Sequence, residues 1–120
     1  MKHTNLPYDF NKSIAVDGDG TLWEACYPNP PEKPIKKTVE LLRELHKQGW
    51  YIIIYSCRFT PPNNVYNQGA EVSNFLDIND VPYAILWNSP GKPVCRFYLD
   101  DSAYRPEEID KLRGIITHGK

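Results

Sequence analysis

A short apolar run that ends at two aspartates constrains this chain more than any other stretch. From Ser13 to Thr21 the sequence is SIAVDGDGT, in which a partly β-branched segment of strand length leads directly into Asp17 and Asp19. In open α/β sheets, ligands bind beyond the carboxyl ends of the strands, so both carboxylates are expected at the mouth of a site. Carboxylates this close repel each other unless a cation lies between them, and Mg²⁺ suits such oxygen ligands.

The Asp-Gly-Asp-Gly motif is also found in two other kinds of structure, a surface turn and a calcium-binding loop. Asp and Gly dominate turns, so the motif is also compatible with a plain hydrophilic turn. A calcium-binding loop is excluded by its spacing: with Asp17 at the first position, Leu22 occupies the required glycine position and Pro28 the required glutamate position.

Length, charge and cysteine content limit the kinds of protein that this chain can be. A chain of 120 residues is expected to form one domain over residues 1–120, and a net charge of −1 gives no strong attraction to nucleic-acid polymers or membrane surfaces. The polar segment Met1–Phe10 predicts neither a signal peptide nor a membrane span. The three cysteines, Cys26, Cys57 and Cys95, lack CxxC spacing. We therefore expect a reducing, cytoplasmic location.

Strand and helix patterns alternate along the rest of the chain. Residues 1–12 are expected as a loosely ordered lead-in, and the proline-rich segment 22–33 as an irregular flap beside the carboxylates. The remaining expected elements are a helix from Pro34 to Gly49, a strand Trp50–Tyr55, a helix over Val65–Leu76, strands Tyr83–Trp87 and Arg96–Leu99, and a last helix from Pro106 through Leu112.

This alternation predicts βαβ units with a parallel sheet and right-handed crossovers. In such a sheet the polar residues that follow each strand share one edge. The residues expected there are Asp17, Asp19, Ser56, Lys92, Asp100 and Asp101. Among the cations, Lys92 is favoured over Arg58 and Arg96 as the partner of an anionic ligand.

At these residues the chain resembles the haloacid dehalogenase (HAD) superfamily of phosphohydrolases. The resemblance covers the whole chain through four motifs in the family's order: Asp17-Gly18-Asp19-Gly20-Thr21, Ser56, Lys92, and Asp100-Asp101. It implies an α/β, Rossmann-like three-layer domain with a mainly parallel sheet. The segments between motifs are too short for a cap domain, so a capless member with an open site is expected.

The resemblance also implies a role for each motif. Asp17 would be the nucleophile that forms an aspartyl-phosphate, and Asp19 the general acid and base. Ser56 and Lys92 would bind the phosphoryl oxygens. Mg²⁺ would be held by Asp17, the backbone carbonyl of Asp19 and the pair Asp100-Asp101. One departure is Gly18, where the family usually carries a bulkier apolar residue.

The substrate follows less directly. An open site in this family goes with bulky or macromolecular substrates, or with cover from another subunit of a homo-oligomer. Trp23 and Tyr27 in the flap could stack on a base, although packing the flap down is the commoner role of such aromatics. We therefore expect a phosphorylated small molecule or nucleotide as substrate, with a nucleotidase or nucleic-acid end phosphatase as the narrower option.

Two non-enzymatic classes remain as alternatives. A response-regulator receiver is also a small, Mg²⁺-dependent α/β domain, but its acceptor aspartate follows the third strand, and its hydroxyl and lysine come later. Here Ser56 precedes Lys92 and an acidic pair comes last. The second alternative is a module that binds phosphoryl groups and Mg²⁺ without turnover, for which Gly18 is the one hint.

Overall fold

The computed structural model describes residues 6–27, 29–56, 58, 69–87, 89 and 91–100. Strands and helices alternate within this part of the chain. They are β1 (Ser13–Asp17), α1 (Lys36–Lys47), β2 (Tyr51–Tyr55), α2 (Gly69–Ile78), β3 (Ile85–Trp87) and β4 (Phe97–Leu99). The fold is therefore α/β, as the sequence pattern predicts.

The four strands form one parallel sheet in the order β3-β2-β1-β4. Strand β1 lies between β2 and β4, and its register pairs Asp17 with Tyr55 and Val16 with Leu99. All four strands point the same way, so their carboxyl ends meet at one edge of the sheet. This confirms the parallel arrangement expected from the alternating pattern.

The central strands are apolar along their length because both of their faces are covered. On one face, Ile14 and Val16 pack with side chains of the two helices in the main core. On the other face, Ala15 and Ile53 lie in a smaller cluster with Cys95, against which aromatic side chains pack. Since side chains alternate along a strand, Asp17 points to the same face as Ala15.

Helix α1 is anchored by one apolar stripe and a defined C-terminal end. Its buried residues are Thr38, Val39, Leu41, Leu42 and Leu45. The helix ends where Gly49 adopts a positive φ of 83°, with Gly49 N–H donating to His46 O at 3.0 Å and Trp50 N–H to Leu45 O at 3.0 Å. This is the Schellman arrangement that glycine favours, and it turns the chain directly into β2.

The expected boundaries differ from the structure by a few residues. Helix α1 begins at Lys36 rather than Pro34, and β3 begins at Ile85 rather than Tyr83. The end of the lead-in is ordered as a 3₁₀ turn, Phe10–Lys12, whose N-cap Asp9 accepts a hydrogen bond from the Asn11 N–H at 3.0 Å. The last expected helix and the start of the second fall outside the described residues. Within the described part, no helix is both long and apolar enough to cross a membrane.

Candidate functional site

Three polar residues stand at the carboxyl edge of the sheet. Asp17 is the last residue of β1, Ser56 follows β2 and Asp100 follows β4. Because Val16 is in register with Leu99, Asp17 and Asp100 come off neighbouring strands at the same level. Ser56 is 3% exposed and Asp100 is 5% exposed, whereas Asp17 is half-buried. The fold thus brings together residues separated by more than 80 positions in sequence.

Tyr55 lies against two of these acids. Its hydroxyl donates to Asp100 Oδ2 at 2.8 Å. Burial raises the pKa of the Tyr55 phenol, and the hydrogen bond to Asp100 and the negative charges of Asp100 and Asp17 raise it further. Both carboxylates therefore act on one phenol, which agrees with the shared edge given by the strand register.

Ser56 is oriented by the turn that follows β2. The Arg58 backbone N–H donates to Ser56 Oγ at 3.1 Å. The buried Ser56 hydroxyl is therefore held in place at the carboxyl end of β2.

The Asp19 carboxylate is held by four donors. Arg58 forms a two-point contact with it, Nε to Oδ2 at 2.8 Å and Nη2 to Oδ1 at 2.8 Å. The backbone N–H groups of Cys26 and Tyr27 each donate to Oδ1 at 3.1 Å. Burial opposes ionisation of Asp19, but the hydrogen bonds from Arg58 and Cys26 and the positive charge of Arg58 outweigh it and lower the pKa of the carboxyl group. Asp19 is thus held as an anion.

Arg58 is the site residue that the sequence did not assign. From sequence Arg58 is only a rival to Lys92, yet its side chain is fully buried and pairs with Asp19. Its guanidinium lies 5.4 Å from the ring centroid of Trp23 and 5.4 Å from that of Tyr27. The sequence signal that could have identified Arg58 is its position two residues after Ser56. The turn that follows β2 brings it to the carboxyl edge of the sheet.

Lys92 and Arg96, the other two candidate cations, contact different groups. Lys92 is exposed, and its Nζ lies 5.4 Å from the centroid of the Tyr98 ring. Arg96 precedes β4 and donates from Nη1 to Asn11 O at 3.1 Å, near the amino end of the sheet. Among the residues described, the cation that meets a site carboxylate is Arg58. Asp101, the other half of the expected acidic pair, falls outside the described residues.

Gly18 is explained by its neighbour. A Cβ atom at this position would lie 2.5 Å from Cζ2 and 2.6 Å from Cη2 of the Trp23 ring. Trp23 is fully buried and makes an edge-to-face contact with Phe75 of α2 at 5.3 Å between centroids. The indole therefore fills the space that a larger side chain at position 18 would take.

The flap is tied to the body of the protein at its base. Ile35 N–H donates to Leu22 O at 3.0 Å, and Glu24 N–H donates to Lys33 O at 2.9 Å, as in two facing antiparallel segments. The described residues of the flap, 22–27 and 29–33, contain no helix and no strand beyond the two isolated bridges that Trp23 makes, one to Asp19 and one to Pro34. These residues therefore form an irregular segment.

The described donors fit a magnesium ion with few protein ligands. Asp17 and Asp100 offer hard oxygen ligands at one level of the sheet edge, and Mg²⁺ commonly binds one or two carboxylates and keeps several waters. The Asp19 carboxylate is taken by Arg58. Among the described residues, no group of three or more His, Cys, Asp or Glu side chains could hold a metal ion.

Gly18→Ala is expected to destabilise the fold through the Trp23 contact. The added Cβ would sit 2.5 Å from the buried ring, and such overpacking costs about 1–3 kcal/mol of unfolding free energy. Chemical denaturation of Gly18→Ala in the native background and in a Trp23→Leu background measures the coupling. The cost should fall below about 0.5 kcal/mol once the ring is removed. An equal cost in both backgrounds would contradict the packing explanation.

Arg58→Met is expected to lower the unfolding free energy by on the order of 2 kcal/mol, because it leaves the half-buried Asp19 carboxylate without its cation. Adding Asp19→Asn should recover part of this loss, since the amide carries no charge to compensate. Urea denaturation of the two single variants and the double variant gives the coupling. Arg96→Met is the matched control, and a loss as large as that of Arg58→Met would show that any arginine truncation has this effect.

Comparison with known proteins identifies structural relatives without naming an activity. No protein-family model matches the chain, and no curated protein is similar to it. The structure resembles that of a conserved protein from Bacteroides thetaiotaomicron, with a TM-score of 0.61 and 20% identity over 90% of this chain and 91% of the other, which shows a shared fold. It also resembles the crystal structure of a structural-genomics target from Vibrio cholerae, with a TM-score of 0.62 and 30% identity over 91% of this chain and 99% of that one. The chain belongs to the same family as the Vibrio cholerae protein.

Proposed function

We propose that this protein is a Mg²⁺-dependent phosphomonoesterase that acts through an aspartyl-phosphate on Asp17, as a small HAD-like hydrolase. The observation that carries the proposal is the strand register. It sets Asp17 beside Asp100 at the carboxyl edge of the sheet, with Ser56 following the adjacent strand. A half-buried carboxylate, a buried hydroxyl and a second carboxylate at one edge are the groups that phosphoryl transfer to an acid requires.

In the first step, an Asp17 oxygen attacks phosphorus. The bond from phosphorus to the ester oxygen breaks, and the leaving oxygen takes up the proton of protonated Asp19. The Ser56 hydroxyl donates a hydrogen bond to a phosphoryl oxygen and so holds the phosphoryl group in line with Asp17. In this proposal a bound Mg²⁺ offsets the repulsion between the anionic nucleophile and the anionic phosphate.

In the second step, water attacks phosphorus, the bond from phosphorus to the Asp17 oxygen breaks, and Asp19 accepts a proton from the water. The lowered pKa of Asp19 fits this step, because a base must be ionised. Protonation of the leaving group in the first step needs the opposite state. In this proposal Asp19 first takes up a proton from solvent, passes it to the leaving oxygen, and is left as the anion that acts in the second step.

Lys92 is proposed as the cation that neutralises the equatorial phosphoryl oxygens. It is exposed, and its contact with the Tyr98 ring is worth about 0.5–1 kcal/mol at such a site, so the side chain can exchange that contact for a phosphate. Tyr98 in turn packs edge-to-face on Tyr55 at 6.3 Å between centroids. This chain of contacts leads from Lys92 to the hydroxyl that binds Asp100.

A phosphoryl-binding or phospho-accepting module without turnover is the second candidate. The observation in its favour is that Asp19 is already engaged by four donors and held as an anion. If that engagement persists with ligand bound, Asp17 could accept a phosphoryl group while Asp19 fails to assist its release. Release of one leaving-group alcohol per chain, with the phosphoryl group retained on Asp17 and no further turnover, would favour this module over the esterase.

Asp17→Asn is expected to abolish Mg²⁺-dependent release of phosphate from an aryl phosphate, because the amide is too weak a nucleophile to attack phosphorus. The measurement is the rate of phosphate release with and without Mg²⁺. Asp77→Asn, on an exposed position of α2, is the matched control and should retain the parent rate. Turnover by Asp17→Asn at the parent rate would show that another group is the nucleophile.

Mg²⁺ is expected to stabilise the protein through Asp17 and Asp100 whether or not a substrate is turned over. A concentration of about ten times the dissociation constant adds about 1.4 kcal/mol, or roughly 5 °C in melting temperature for a domain of this size. Thermal unfolding with and without Mg²⁺ measures this shift. The double variant Asp17→Asn, Asp100→Asn should lose the shift, and Asp9→Asn should keep it. A full shift in the double variant would place the metal elsewhere.

A further inference from the structure

The two aromatic residues of the flap have different environments. Trp23 is fully buried between Gly18 and Phe75 and is part of the main core. Tyr27 is 44% exposed, although it is a large side chain in a segment tied down at its base. From sequence, either aromatic residue could pack the flap against the core, and in the structure Trp23 does so. The Tyr27 ring is presented to solvent.

The position of Tyr27 is fixed by two contacts at the site. Its backbone N–H donates to Asp19 Oδ1 at 3.1 Å, and its ring lies 5.4 Å from the Arg58 guanidinium. Arg58 itself is held by Asp19 at 2.8 Å. The Tyr27 backbone is therefore hydrogen-bonded to the carboxylate that the proposed mechanism uses, and the exposed ring contacts the arginine paired with that carboxylate. A ring fixed in advance loses little conformational freedom when a ligand packs against it.

We propose that Tyr27 is a stacking surface that selects phosphomonoesters whose leaving group is a flat aromatic or heteroaromatic ring. The inference rests on the proposed esterase function, in which Asp19 serves the leaving oxygen. In that mechanism Tyr27 is on the leaving-group side, because it is anchored at Asp19, which serves the leaving oxygen, whereas Ser56 serves the phosphoryl oxygens. Stacking on an aromatic side chain tolerates different ring systems, since it uses the face of the ring rather than specific hydrogen bonds.

The test compares two esters that differ in aromaticity and little in leaving-group acidity, benzyl phosphate and cyclohexylmethyl phosphate. The native protein should prefer benzyl phosphate by about tenfold in kcat/KM, mostly through a lower KM, because stacking acts before the bond to the leaving oxygen breaks. Tyr27→Leu should bring the ratio of the two substrates close to one. Tyr27→Phe should keep the preference, because it retains the ring.

Tyr8→Leu is the matched control. Tyr8 is 50% exposed and packs on Tyr51, with its hydroxyl donating to Val94 O at 2.8 Å, so it shares the exposure of Tyr27 without touching Asp19 or Arg58. Its substrate ratio should equal that of the native protein. A native ratio near one, or a Tyr27→Leu variant that keeps the native ratio, would overturn the inference.

Failure of the esterase proposal is distinguishable from failure of this inference. If the native protein hydrolyses neither ester, the proposed esterase function is wrong. The stacking role of Tyr27 is then tested by the binding of non-hydrolysable phosphonates. Calorimetry with benzylphosphonate and cyclohexylmethylphosphonate in the presence of Mg²⁺ should then show tighter binding of the aromatic compound to the native protein and not to Tyr27→Leu. Equal binding of the two phosphonates, or no binding of either, would overturn the inference.

Discussion

The parallel pairing of β1 with a strand on each side is the constraint on which the rest of the structure depends. Strand β1 is hydrogen-bonded to β2 on one side and to β4 on the other, and both neighbours run in the same direction. Its apolar residues are buried on both faces, so a shift of one residue in register would place Asp17 inside the core. Burial therefore fixes the register, and the register fixes which polar residues share the sheet edge.

The same edge separates two acids that are only one residue apart in sequence. Asp17 stays at the end of the strand, beside Tyr55 and Asp100. Asp19 turns into the flap, where a buried arginine and two backbone N–H groups hold it. Their mutual repulsion is relieved on the Asp19 side by the charge of Arg58. The two carboxylates thus have different environments, which is how one pair of acids can serve two chemical roles.

The flap owes its shape to a complementary pair of residues. Gly18 supplies the space, and the buried Trp23 ring fills it. Buried Trp23 and the Asp19–Arg58 pair then anchor the two ends of the segment 23–27. The exposed Tyr27 ring is held at the site by these contacts rather than by its own burial.

The sequence by itself determined the α/β fold class, the alternation of strands with helices and the parallel direction of the strands. It also determined that Asp17 and Asp100 lie at the carboxyl edge of the sheet. Hydrophobic periodicity and strand-ending aspartates are local signals, because they depend on residues within a few positions of each other. Only the tertiary structure decided that Arg58, rather than Lys92, meets a site carboxylate, that Trp23 occupies the place beside Gly18, and that Tyr27 is exposed next to Asp19. These are pairings between side chains on different segments, and their distances depend on how the flap packs against the end of β2, which no local pattern encodes.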